Sequence, residues 1–444
     1  MTDLRHIHHL LNRAAFGPSL KDVSFYEKIT PEKLTGHLFK TSEDFRPIQI
    51  IERPELQYNK FVKLSEEEKR KLRMMMRREL LELNKEWFVK MSTTDAVLRE
   101  KLTLFWHDHF ACYSRNPYFA QDLNNILRQN ALGNFGQMLF DVSKSPAMLQ
   151  YLNNQQNRAK SPNENFAREV LELFTLGRGH YTENDIKNAA RAFTGWGFNF
   201  KGDFVFRAKQ HDNGIKYFMG YKGNLSGEDV LKIILENKRT AYFITEKILK
   251  YFVNGQPDDS EVKKHAESFY ASGYNLGKLM EDIFSSPEFY DEKNINALIK
   301  SPAELLVGYA RILPFNETES KKLLMAQRIL GQVLFMPPNV GGWPYGKEWI
   351  NTASITYRLQ MPYTFIVPPG KKKRPKLFSV NWQEFNNQTK GIPEDVLSIL
   401  LLGNTPGQKE QQLINNKLNS LPGNWVRRPL QTINLMCLPE YQLA

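Results

Sequence analysis

Most of this chain carries apolar residues at intervals of three and four, the spacing of an amphipathic helix. That spacing predicts a short helix over 34–39 and a long one over 66–91. Further helices are expected over 96–112, 116–130, 227–237, 241–253, 260–271 and 303–311. Period-two alternation is scarce. It is found at Phe204-Val205-Phe206 and again over 216–219, with Asn213-Gly214 between them, so one small β-hairpin is expected within 198–220. The fold class this predicts is mainly α, a multi-helical globular fold with a single β excursion.

One pattern recurs at a constant offset. Residues 134–142 lead to Ser145-Pro146, and residues 275–283 lead to Ser286-Pro287. Each is a short helix ended by Ser-Pro. A duplicated helical module explains the echo, as does the chance coincidence of a common helix stop. No linker is evident before residue 361. Residues 1–360 are therefore read as one helical core carrying the hairpin as an insertion. Residues 361–444 are read as a stretch rich in proline and asparagine that ends in a helical tail from Glu394, packed on the core.

The densest polar chemistry lies in residues 161–196. Ser161-Pro162-Asn163-Glu164 fits a capping box, with Pro162 at the first helical position. Phe166, Val170, Leu173 and Phe174 then share one face, and Asn165, Glu169 and Glu172 line up on another with Arg168 beside them. Gly177 suits a left-handed C-cap. Thr182 to Asp185 can start a second helix, which leaves Arg191 beside a polar side. The stripe of Glu169 and Glu172 is either a solvated helix face or a buried functional one, because periodicity alone does not reveal exposure.

Several motifs, in order along the chain, carry a family resemblance: 9–17 (HLLNRAAFG), 105–110 (FWHDHF), 163–196 (NENFAREVLELFTLGRGHYTENDIKNAARAFTGW), 211–216 (HDNGIK) and 341–344 (GGWP). Together they resemble the bacterial domain-of-unknown-function family 1800 (DUF1800). The resemblance implies no particular activity. It does imply a partner, since members of that family resemble companions of a second, sulfatase-like family encoded nearby.

Composition narrows the classes. The 444 residues are 41% hydrophobic, 12% aromatic and 24% charged, which is the balance of a folded protein. No apolar run reaches the length of a membrane span. The start, MTDLRHIHHLLNRAAFG, lacks a secretory apolar core, so a cytoplasmic location is the expectation. Cys112 and Cys437 are too few and too far apart for a disulfide framework or a zinc knuckle, and are expected as buried thiols. The net charge of +12 is spread along the chain. Residues 69–78 interleave it with methionines, and the one tight cluster, 371–376, follows Pro368-Pro369-Gly370. Both are read as solvated surface, and nucleic acid is not expected as a partner.

The candidate chemistry follows from the motifs. His107 and His109 are two residues apart, so a regular helix points them to different sides, and they reach one divalent metal only if the helix ends between them. His211-Asp212 is expected at the hairpin tip, where a turn explains Asp212 but not the imidazole. Lys216 and Arg191 are candidate contacts for an anionic ligand or cofactor. His9 and Arg13 lie one turn apart on the opening helix, with Arg13 expected to tie down a distant carbonyl or carboxylate. Gly341-Gly342-Trp343-Pro344 is expected as a shaped loop over which a ring or backbone passes. Two readings follow. In one, His107, His109 and His211 bind a divalent metal or line an anion pocket with Glu169, Glu172 and Arg168 as catalytic groups, giving a hydrolytic or oxidative enzyme. In the other, the same residues form internal networks, and the protein is a non-catalytic binding or assembly partner.

Overall fold

The computed structural model describes residues 4–53, 64–365, 378–419 and 427–444; the basic cluster 371–376 lies outside them. Helices form where the apolar spacing placed them: Pro31–Thr41, Glu66–Thr93, Val97–His109, Pro117–Asn130, Gly227–Glu236, Lys238–Phe252, Asp259–Ala271 and Pro302–Ile312. Many of their starts are chemically specified. Ser65 with Glu68, Ser226 with Asp229 and Ser301 with Glu304 each close a capping box, satisfying amides that have no partner inside the helix. No helix among the described residues is long and apolar enough to cross a membrane.

Two local expectations need correction. The capping box at Ser161 does not form. Ser161 bridges to Arg158, and the Asn157 side chain accepts the Asn163 amide at 2.9 Å, which holds this stretch outside the helix until Asn165. Glu164 then faces Arg168 rather than the cap. The single β excursion also becomes three two-stranded sheets among the described residues: Phe315–Thr318 pairs with Phe378–Val380 far from the expected hairpin, and two ribbons form where one hairpin was expected. Trp196–Phe198 pairs antiparallel with Phe204–Phe206, and Lys216–Phe218 pairs with Tyr221–Gly223. Each strand of these two ribbons finds its nearest neighbour in sequence. Asn213-Gly214 therefore lies between the ribbons, and Met219 and Gly220, both at positive φ, make the second turn.

The sequence echo has a structural counterpart. Asn134 and Asn275 are 141 residues apart, as are Ser145 and Ser286. Helices Val97–His109, Pro117–Asn130, Phe135–Lys144 and Pro146–Tyr151 recur in order as Lys238–Phe252, Asp259–Ala271, Leu276–Phe284 and the tight turn Pro287–Tyr290. Asn134 and Asn275 both cap their helices, and they meet in an antiparallel bridge. The Phe135 amide donates to the Tyr274 carbonyl at 3.0 Å and the Leu276 amide to the Gly133 carbonyl at 2.8 Å. Equivalent residues thus contact each other, as they do across a two-fold axis.

The C-terminal residues close the fold. Helix Glu394–Leu402 packs on the opening helix Leu4–Ala14, and His8 pairs with the Leu400 carbonyl at 2.8 Å. Ala444 and Leu298 exchange backbone hydrogen bonds, and the Lys300 amide donates to the Gln442 carbonyl. Neither cysteine forms a disulfide. Cys112 is buried, whereas Cys437 is only partly so, because it follows the last turn of helix Arg427–Met436 rather than sitting inside it.

Candidate functional site

A cavity of about 1020 Å³ lies between the equivalent helices Val97–His109 and Lys238–Phe252. Lys101 and Asp108 enter it from the first, Lys247 and Tyr251 from the second. Arg13, Glu304 and Tyr345 complete its polar wall. Leu104, Phe243, Leu298, Ile299 and Trp349 give it an apolar lining. Volume and lining are those of a small-molecule site.

Asp108, 8% exposed, is one residue from the end of its helix. Its Oδ1 accepts the Trp343 amide at 2.7 Å, and the Tyr345 hydroxyl donates to the same carboxylate. Gly342 makes this contact possible. It adopts φ +84°, and a Cβ there would overlap Asp108 Oδ1 and stand 2.8 Å from the Asp108 carbonyl oxygen. Burial pushes the Asp108 carboxyl up to about 6, although Tyr345, the Trp343 amide and Lys247 pull it down. Tyr345 is 47% accessible, but it lines the cavity. Its phenol is held well above the ordinary value by burial and by Asp108.

Lys247 is positioned by the 161–196 segment. After the short α-turn Asn165–Glu169 the backbone widens into a π-helix over Val170–Thr175, with the Leu176 amide bonding five residues back to Leu171. The carbonyls near this helix end are free acceptors. Leu173 takes Lys247 Nζ at 3.1 Å and Phe174 takes His109 Nε2 at 3.1 Å. Because a carbonyl only accepts, His109 carries its proton on Nε2, and Nδ1 is left to accept from Lys247 Nζ at 3.4 Å. Burial pushes the His109 imidazole well below its ordinary value and Lys247 down to about 8, with Asp108 opposing the latter shift.

At the other side, Lys101 pairs with Glu304 and donates to the Asn12 carbonyl at 3.1 Å. Tyr251 donates to Glu304 Oε1 at 3.2 Å. Burial alone would raise Glu304, but the Lys101 ammonium and Ser301 more than offset it and leave the carboxyl below the ordinary range. Arg13, 1% exposed, donates Nη2 to the Asn294 carbonyl at 2.7 Å, as a helix-terminal arginine was expected to do. Its Nε and Nη1 find no partner among the described residues. Burial lowers its guanidinium to about 9 against the pull of Glu304.

The residues singled out from the sequence are distributed otherwise than expected. His107 points away from His109: its Nε2 accepts the Phe335 amide at 3.0 Å, its ring meets Trp87 edge-on at 4.9 Å, and burial pushes it to about 3. His211 bonds Thr194 through Nδ1 at 2.9 Å. Among the described residues no three His, Cys, Asp or Glu side chains are placed to hold a metal ion, so His107, His109 and His211 do not form a ligand set. Glu172 takes Arg178 and Tyr181, while Arg168 pairs with Glu183 and Glu164. These form a half-exposed ion-pair network, with Glu169 beside it pushed up by burial and Glu172, and none of them lines the cavity. Arg191 clasps Asp212, at 2.7 and 3.2 Å. Lys216 is fully buried and spends its three donors on Asp212 O, Gly214 O and Asn224 Oδ1. Both cations are structural locks of the loop between the ribbons.

Lys247, Tyr251, Glu304 and Tyr345 escaped sequence reasoning, and Asp108 was overlooked between two histidines. The available signal was Asp108 itself, a lone carboxylate in an aromatic helix end followed far downstream by a Gly-Gly turn.

The family described as protein of unknown function (DUF1800) matches residues 9–443. No curated protein and no solved structure matches the chain.

Proposed function

This chain belongs to the DUF1800 family, and from that premise we propose that it acts on a small organic molecule held in the cavity, with Asp108 as the proton-transfer group. One observation carries this reading. A carboxylate, an ammonium and a phenol from three distant parts of the chain, Asp108, Lys247 and Tyr345, line one mainly apolar hollow. A purely structural network of this kind packs against protein on all sides; here it borders empty volume large enough for a ligand. The ionisation supports the same reading. A carboxyl near 6 is mostly ionised at neutral pH yet basic enough to take a proton, while an ammonium near 8 can return one. Hydrolysis is the simplest reaction such a pair runs: Asp108 takes the proton of an attacking water and Lys247 protonates the leaving group. His109 and the π-helix carbonyls are positioning groups for Lys247.

The test is ligand-observed NMR with a mixed fragment library on the wild type and on Leu104→Trp, which fills the cavity from its apolar wall. Fragments should bind the wild type, and their signals should revert to free values with the variant. Binding that survives the filled cavity, or a library with no binder, sinks the proposal.

A further inference from the structure

We infer that the molecule taken by this cavity is an anion, a carboxylate or phosphate ester on an apolar body, whose charged group seats on Arg13. The inference rests on the cavity being the functional site. Its first support is the state of Arg13. A guanidinium has five N–H donors, and a buried polar group without partners is costly. Arg13 is 1% exposed, lines the cavity, spends Nη2 on a carbonyl, and leaves Nε and Nη1 without partners among the described residues. An anionic oxygen is the acceptor best matched to these donors.

The second support is the charge left once the ion pairs are matched. Lys101 is neutralised by Glu304, Lys250 by Glu246 and Lys293 by Asp258. That leaves Arg13, Lys247 and Lys347 on the lining against Asp108 and the terminal carboxylate of Ala444, still an excess of positive charge. Lys247 makes only hydrogen bonds to Leu173 and His109 and no ion pair among the described residues. Walls of low dielectric concentrate this positive field, which draws in anions and repels amines. The third support is the opposite lining: Leu104, Leu298, Ile299 and Trp349 offer an apolar body a dry surface. A free inorganic ion would leave that surface wet.

Isothermal titration with four probes of one shape separates the outcomes: benzoate, phenyl phosphate, benzyl alcohol and benzylamine. The two anions should bind the wild type at least tenfold more tightly than the alcohol, with the amine weakest, and their ratio identifies the preferred anionic group. Arg13→Met should cut anion affinity about tenfold and leave the alcohol unchanged. Because a buried arginine variant can fail to fold, the wild-type series is decisive by itself. Equal binding of alcohol and anions, all lost in Leu104→Trp, overturns the inference and leaves the site standing. Probes that bind regardless of Leu104→Trp, or that do not bind at millimolar concentration, overturn both.

Discussion

Asp108 illustrates how little a residue's neighbours in sequence say about its surroundings. His107 and His109 flank it, yet the helix sends His107 toward Trp87, Phe335 and the Trp343 ring and His109 toward Phe174, while the Asp108 carboxylate takes the Trp343 amide of the Gly-Gly-Trp-Pro loop. Its raised pKa has a consequence for stability. A carboxyl that holds its proton more tightly when folded favours the native state most below about pH 4, and that advantage is lost as pH rises through about 6. Asp108→Asn keeps an acceptor for the Trp343 amide and removes the charge. The variant should be more stable than wild type by about 2–3 kcal/mol at pH 7 and indistinguishable at pH 4 in urea denaturation. An equal difference at both pH values would show that the carboxyl is not held in this way.

At the scale of elements, loops and helix ends build the site, and regular helix faces only present it. The π-helix Val170–Thr175 offers two carbonyls to His109 and Lys247, which explains why the most polar segment of the chain matters although its own carboxylates face elsewhere. The loop over Asp108 depends on Gly342, where positive φ and close approach coincide. Gly342→Ala should cost about 2–4 kcal/mol and change the fluorescence of the buried Trp343, whereas Gly341→Ala, which meets only the Asn339 side chain at 3.0 Å, should cost less than half as much. Matching melting temperatures for the two variants would refute this account of the loop.

At the scale of the molecule, the cavity sits between two helices that stand at the same place in the two halves of the 141-residue echo. These two long walls differ in chemistry: one supplies Lys101 and Asp108 and the other Lys247 and Tyr251. The fold also buries imidazoles. His8, His9, His107 and His109 are all pushed below the ordinary value by burial, His8 to about 4 and His107 to about 3. Groups with depressed folded values stabilise above about pH 6.5 and lose that contribution as pH falls toward the folded values. Asp108 opposes them in part. Unfolding near pH 5 should therefore take up more than one proton, so stability should fall by over about 1.4 kcal/mol per pH unit there. Urea unfolding at pH 7, 6 and 5 measures the slope, and an uptake below one proton would contradict it.

The helices, many of their caps, the mainly α class, the family and the echo of Asn134 in Asn275 were legible in the sequence, because periodicity, capping and repetition are local signals. The Ser161 box and the single hairpin were misread for the same reason: a local pattern was sound, but Asn157 and the nearest strand competed for the same groups. The polar wall of the cavity was out of reach. Arg13, Asp108, Lys247, Glu304 and Tyr345 stand on segments that share no period, and only the packing of distant helices, with a glycine turn closing over Asp108, sets them around one hollow. Burial then fixed their ionisation, since the cost of a charge depends on what surrounds it in space and not on what precedes it in the chain.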